Sequence, residues 1–519
     1  MKTSSKLPSD LADWHFLSRT TFGPRPQDVE RLKQLGIKAM LEEQLHPETI
    51  DDSEVEQKIA SLPTLTMSPA ELMEDFPAPK QAKKLEQKQE RMEAPAGNFA
   101  DQNAMAKPAA PAMSSKEVDG PRRILMELGR EQLWRAAYSQ RQLQEVMVQF
   151  WMNHFNIYAG KGVDKWLMTS FEHDAIRPHA LGNFHDLLAA TAQSPAMLFY
   201  LDNWLSVAPN AAVRPGGKGE RRGLNENYAR ELMELHTLGV DGGYTQQDVH
   251  EVARCFTGWT IDGPRQGGGF IFRPRLHDDG EKTVLGHKIE SGGGVDDAKQ
   301  VLHILAAHPS TAQFISVKLC RHFIADNPPQ SIVDHTAKTF AKSHGDLRAV
   351  LKELLTSREF NSEGAFRAKV KSPFELVTSS LRSLSAETNA DAPLMGQIMR
   401  MGQPLFQYQA PTGFPDRANG WINSGTLLAR MNFSMALAAN RIPGTQLDLQ
   451  ALTPSEDAQA IWSHLAQRTL GGNVSDKTQS AVMKSLDELG NAGAPKPGSF
   501  PKTTLMAALL VGSPDFQRK

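Results

Sequence analysis

Over most of its length this chain repeats its apolar residues at the helical interval. In VERLKQLGIKAMLEEQL, LQEVMVQFWMNHF, VLHILAAHPSTAQFISVKLCRHF and LRAVLKELLTSREF the large apolar groups return every three or four residues, the spacing that lines one face of an α-helix. Strand-like runs are short and confined to FIFRPR and KTVLG, inside a Gly-rich stretch. The expected fold is therefore mainly α: a large multi-helix domain with a small β-hairpin or strand insertion near 262–295. No uncharged apolar run reaches the roughly 18 residues that a membrane span needs, so no membrane span is expected.

Four regions are expected. Residues 1–60 read as an N-terminal helical arm. From 61 to 119 the composition shifts to Ala, Pro, Lys, Glu and Gln with few large apolar groups, too little to offset the entropy of ordering, which predicts a disordered or weakly helical insertion. Residues 120–440 carry the densest helical patterning and form the expected core, and 441–519 supply C-terminal helices packed on it. Within the core, GQPLFQYQAPTGFPDRANGWINS at 402–424 has no periodicity. A stretch that long without an element of its own is usually functional or lies against something large.

Charge and cysteine content narrow the function classes. The 519 residues hold 57 Lys+Arg against 59 Asp+Glu, a net charge of −2, so the basic field of a dedicated nucleic-acid binder is missing and no nucleic-acid partner is expected. Two cysteines, Cys255 and Cys320, cannot build a disulfide scaffold or a thiolate zinc cluster. The opening MKTSSKLPSDLADWHFLSRTTFGP has no apolar stretch behind its lysines and does not read as a signal peptide, which makes the cytoplasm the expected compartment. Nucleotide-cofactor fingerprints, a nucleophile elbow and a His-Glu-x-x-His helix are all missing.

Eleven of the 16 histidines fall between His154 and His322, which places the search for chemistry there. On a wheel of about 100° per residue, Leu143, Met147, Phe150 and His154 share one stripe. His154 is thus either a core histidine bonded to backbone or a ligand or proton carrier. In NENYARELMELHTLG, Glu231 falls on the edge of a buried face, where a carboxylate needs an Arg, a metal or a proton; Arg430 is a plausible salt-bridge donor from another helix. Glu234 lies further round, beside Asn227. Three His-Asp dipeptides occur, of which His277-Asp278 lies between the strand-like runs, as a hairpin turn or as an oxygen-rich metal or substrate loop. Thr245 and Asp248 form an approximate capping box. The loop carrying Arg214, Lys218, Arg221 and Arg222 is either a surface loop or an anion cradle ahead of a helix.

GLNENYARELMELHTLGVDGGYTQQDVHEVARCFTGWT, FWMNHFNIY, the HDDGEKTVLG loop, KLCRHF and GQPLFQYQAPTGFPD with NGWINS closely resemble the bacterial family known as domain of unknown function 1800. The matching residues are Trp151, His154, Asn225, Asn227, Tyr228, Arg230, Glu231, Glu234, Asp248, Gly258, Trp259, His277 and Asp278. The resemblance implies a predominantly helical fold and a genomic neighbour of alkaline-phosphatase or sulfatase-like fold as candidate protein partner. Many relatives look exported, which this chain's opening does not match. The leading expectation is a hydrolase-like enzyme with a pocket between the His154 helix, the Asn225–Gly239 helix and the His277 loop. Glu231, His154, Glu234 and Arg230 are its candidate catalytic residues, Asn227, Tyr228, Arg430 and Trp259 its candidate substrate contacts, and His277 and Asp278 candidate ligands of a divalent metal. The alternative is a non-catalytic partner or maturation factor acting through the 402–424 and 61–119 segments.

Overall fold

A computed structural model describes residues 5–78, 120–209, 211, 223–263, 268–453, 457–490 and 500–519. They are mainly helical, with three two-stranded sheets. Among them no helix is long and apolar enough to cross a membrane. The anion-cradle arginines and lysine of the 212–222 loop, and residues 79–119 of the expected insertion, lie outside the described residues.

Local chemistry sets the helix boundaries. Gln142 opens the helix Gln142–His154. Its amide donates to Ser139 O at 2.9 Å and accepts from Phe22 N at 3.0 Å, closing the end of the helix Arg122–Tyr138 and tying the N-terminal arm to it. The helix Pro309–Phe323 starts with Pro at its first turn and His308 Nδ1 accepting from Ser310 N. Pro373–Ser383 starts with a capping box in which Ser372 and Glu375 exchange hydrogen bonds. These devices satisfy the free N–H groups at a helix start. The predicted Thr245/Asp248 box forms too.

The arm is part of the core rather than an appendage. Phe16 and Leu17 of the helix Ser9–Thr20 are fully buried in one contiguous apolar cluster with Leu128, Leu376 and Phe374. Arg19, also buried, donates to Ile324 O and Ala365 O. Residues 61–78, expected within a weakly structured insertion, are packed: Leu72 and Phe76 bury against Ile124 and Trp166, and Thr64 N–H and hydroxyl both donate to Glu127. Ordering begins wherever a few apolar side chains find a groove, and average composition hides those few. At the other end, the helix Lys502–Gly512 lies on Ser424–Ala438, and the tail pairs with 369–371 through Lys371 N to Gln517 O and Lys519 N to Lys369 O.

The β elements pair differently from expectation. β1 (Trp259–Ile261) pairs antiparallel with β2 (Phe270–Phe272), and β3 (Lys282–Val284) with β4 (His287–Ile289). The two strand-like runs are thus members of separate hairpins. His277-Asp278 is the link between them and not a hairpin corner; the β3–β4 corner is Leu285-Gly286, both at positive φ.

Candidate functional site

A cavity lined by charged and aromatic side chains lies where two helices face each other through side chains four residues apart. Phe150 and His154 stand on Gln142–His154; Phe314, Lys318 and His322 stand on Pro309–Phe323. One turn of helix separates each from the next, so each set forms a stripe. The Phe150 ring lies between the two imidazoles, 6.4 Å from His154 and 5.4 Å from His322. Lys318 Nζ lies 5.8 Å from the Phe314 ring centroid. The cavity has a volume of about 150 Å³, and Lys369, Glu375, Lys519, Asp416 and Trp421 complete its charged and aromatic wall.

The aperiodic 402–424 segment is the roof, and the FWMNHFN motif holds it. Asn153 donates to Phe414 O at 3.0 Å and accepts from Phe414 N at 2.7 Å. Asn156 donates to Tyr408 O and Ala410 O, and Arg321 pairs with Asp416 at 2.9 Å. Gly413 has φ of +70°, and a Cβ there would lie 2.2 Å from Asn153 O, so only glycine allows this approach.

Both imidazoles are held neutral. Burial drives His154 well below the usual histidine range, with Lys318 adding to it; burial does the same to His322, reinforced by Lys519 and opposed by Glu375. His154 Nε2 lies 3.1 Å from His236 O, a carbonyl that can only accept. That hydrogen bond assigns the proton to Nε2 and leaves Nδ1 as a lone pair. His154 Nδ1 and His322 Nε2 are both buried without a hydrogen-bond partner among the described residues. Burial opposes the charge on Glu375, but Lys519 and Ser372 N–H outweigh it and hold the carboxyl at about 2.

The structure puts His154 at this cavity and the other sequence candidates elsewhere. Glu231, Glu234, Arg230, Asn227, Tyr228, Trp259, Arg430, His277 and Asp278 do not line it. Glu231 is half-buried with a carboxyl raised by burial and by Glu234, against Arg230; Glu234 accepts from the Tyr244 hydroxyl. Arg230 bonds to Gln246 and Glu226, and Asn227 to Leu201 O. Arg430 is no partner of Glu231: it is fully buried and donates to Lys371 O and Gln517. Tyr228 and Trp259 are core aromatics packed on Phe256. Adjacent in sequence, His277 and Asp278 turn to different partners. His277 bonds Thr257 O and Asp297, while Asp278 takes two hydrogen bonds from Arg254.

One group of three potential ligands does converge: oxygen or nitrogen atoms of Glu131, Glu172 and His173 lie within 4.8 Å of one another. Their atoms are already engaged. Glu131 takes Arg135 and His173 at 2.8 and 2.7 Å, and Glu172 takes Arg177 and Gln132 at 2.8 and 2.7 Å. Burial opposes the charge of Glu131, and His173, Arg135 and Arg177 overcome it, holding the carboxyl at about 2. As arranged, this is an ion network that meets the cavity only through Gln132, which lines it and donates to Glu172.

Lys318 and His322 belong to KLCRHF, and their four-residue spacing was a usable signal. Lys369, Glu375 and Lys519 carried none, because only folding brings their segments together. No curated protein and no solved structure matches the chain. The family model of proteins of unknown function, DUF1800, matches residues 15–518 and so takes in the cavity's helices and roof and all but the last residue of its wall; the chain belongs to that family.

Proposed function

We propose that the protein is a hydrolase-like enzyme whose chemistry takes place in the cavity beneath the 402–424 roof. The observation that carries this reading is the pair of neutral imidazoles, each with one buried nitrogen left without a partner. A buried polar atom without a partner costs stability, and natural proteins keep such groups where a ligand or reaction uses them. In this reading His154 Nδ1 accepts a proton from a water as that water attacks the substrate. The His236 carbonyl holds the ring's tautomer, and Lys318 stabilises the oxyanion that develops. Asn153 and Asn156 are positioning residues that act through the roof.

The test is turnover of a panel of p-nitrophenyl esters of carboxylic and phosphoric acids by the parent protein and by His154→Gln. The expected result is activity that falls by about 100-fold or more in the variant while the thermal melt is retained. Equal turnover by both proteins defeats the assignment. Since His154 titrates well below the usual range, the parent's rate should also hold down to mildly acidic pH.

A second reading, a partner or maturation factor, draws on one observation. Leu428 and Met431 are 60% and 56% exposed on the helix that follows the roof, and Leu427 of the same helix and Ile422 of the roof are exposed as well. Exposed apolar groups gathered in one area mark docking surfaces more often than chance. A neighbouring phosphatase- or sulfatase-like protein would be captured by the parent and not by Leu428→Asp.

A further inference from the structure

The cavity's wall carries more positive than negative charge: Lys318, Lys369, Arg417 and Lys519 against Glu375 and Asp416. Glu375 attracts Lys519 and also Arg19, Lys371 and Arg430, which stand behind the wall and do not line it, but among the described residues it forms an ion pair only with Lys519. Arg19 and Arg430 make do with carbonyl and amide oxygens, and Lys371 Nζ rests 3.7 Å over the Phe516 ring. Lys369 has Asp326, and Arg321 has Asp416. Lys318, at the cavity itself, has no carboxylate within ion-pair distance among the described residues; Asp416 attracts it from further off, and the Phe314 ring lies 5.8 Å from its Nζ. Buried cations are ordinarily paired, so an excess of this kind favours a negative guest. The remaining lining is apolar and aromatic: Phe150, Phe374, Phe406, Phe414 and Trp421.

We infer that the cavity takes a small organic oxyanion, a carboxylate or phosphoryl group carried on an apolar body, with Lys318 as its counter-ion and the aromatic wall around the body. The inference rests on the cavity being the working site and adds the class of molecule that enters it. The neutral imidazoles fit that guest as well. A charged His154 would compete with Lys318 for the anion and could not accept a proton from water.

The experiment is calorimetric titration of the full chain with benzoate, phenyl phosphate, benzamide and benzylamine. Benzoate or phenyl phosphate is expected to bind at least about tenfold more tightly than benzamide, the neutral isostere, since a charge-assisted hydrogen bond is roughly twice as strong as a neutral one. Which of the two anions binds tells carboxylate from phosphoryl. Lys318→Gln should lose that preference, and Lys318→Arg should keep part of it. Should Lys318→Gln fail to fold, the comparison of benzoate with benzamide on the parent stands by itself. Equal binding of benzamide, preference for benzylamine, or no binding by any of the four overturns the inference. Ester turnover without anion preference would sink this inference and spare the hydrolytic reading; anion preference without turnover would do the reverse.

Discussion

The stretch from Asp248 to Asp297 and the cavity between His154 and His322 hold similar side chains and treat them in opposite ways. In the first, the buried ionic groups are paired, although one oxygen of Asp297 has no hydrogen-bond partner among the described residues. Lys282 and Asp297, both with fully buried side chains, pair at 2.5 Å; His277 shares the same carboxylate, and Arg254 takes Asp278 and Glu251. In the second, two imidazole nitrogens have no partner among the described residues, and Lys318 has no ion pair there, only the Phe314 ring and the more distant Asp416. His277 and Asp278, the candidate metal ligands in sequence, have their hydrogen-bonding capacity spent on the fold. Residue type alone does not separate a site from a strut. Unspent bonding capacity around a cavity is what singles out the second region as the candidate.

The largest expected effect breaks the ion-paired side. Lys282→Met should leave Asp297 buried with only His277 against it and cost about 3–5 kcal/mol of stability, the penalty of an orphaned buried charge, measurable by urea unfolding. A loss below 1 kcal/mol would mean that this region is not held by its ion pairs, and the comparison would fail. Next is the roof. Gly413→Ala combines a positive φ with a contact on Asn153 O and should cost about 2–3 kcal/mol, with new protease cleavage between 402 and 424; a fully stable, protease-resistant variant would show that Asn153 does not pin the roof.

A third variant asks whether lack of a partner is by itself the mark of a site. Asp164 is buried away from the cavity lining, with both carboxyl oxygens unpartnered among the described residues. Burial pushes its carboxyl from 3.8 up to about 9, helped by Asp202 and opposed by Lys161. Between those values the folded protein keeps a proton that the unfolded chain has released. Its stabilising contribution is therefore whole below pH 3.8 and is lost as pH climbs toward 9. Asp164→Asn should flatten that slope and gain on the order of 2 kcal/mol at pH 8 with little change at pH 4; an unaltered slope would assign the pH dependence elsewhere. The smallest effect is on the unspent side: Lys318→Gln should change stability by less than about 1 kcal/mol, or raise it, because the lysine serves no ion pair. A loss comparable to that of Lys282→Met would make Lys318 a strut too.

Much of the architecture was legible in the sequence because a helix advertises itself locally. The 3.6-residue rhythm, Pro at a first turn, and Thr245 three residues ahead of Asp248 each act within one or two turns of chain. His154 was legible for the same reason, as a polar residue on an apolar stripe. The aperiodic 402–424 segment was marked out by its lack of rhythm. Where the helix wheel led away from the cavity, at Glu231, it reported correctly that one carboxylate faces partly inward. It could not report that Arg430, the donor it suggested, is spent on Lys371 O and Gln517.

By itself, then, the sequence determined the helical class, the boundaries of several helices, the family, and one member of the candidate site. The tertiary structure decided the rest. Lys369, Glu375 and Lys519 come to His154 from more than 200 residues away in sequence, and whether a histidine is a strut or a proton carrier depends on which atoms surround it. Local spacing encodes which face a side chain takes. Only the packing of distant segments fixes whether its hydrogen bonds and charge are already satisfied when it gets there, and that remainder is what is left for chemistry.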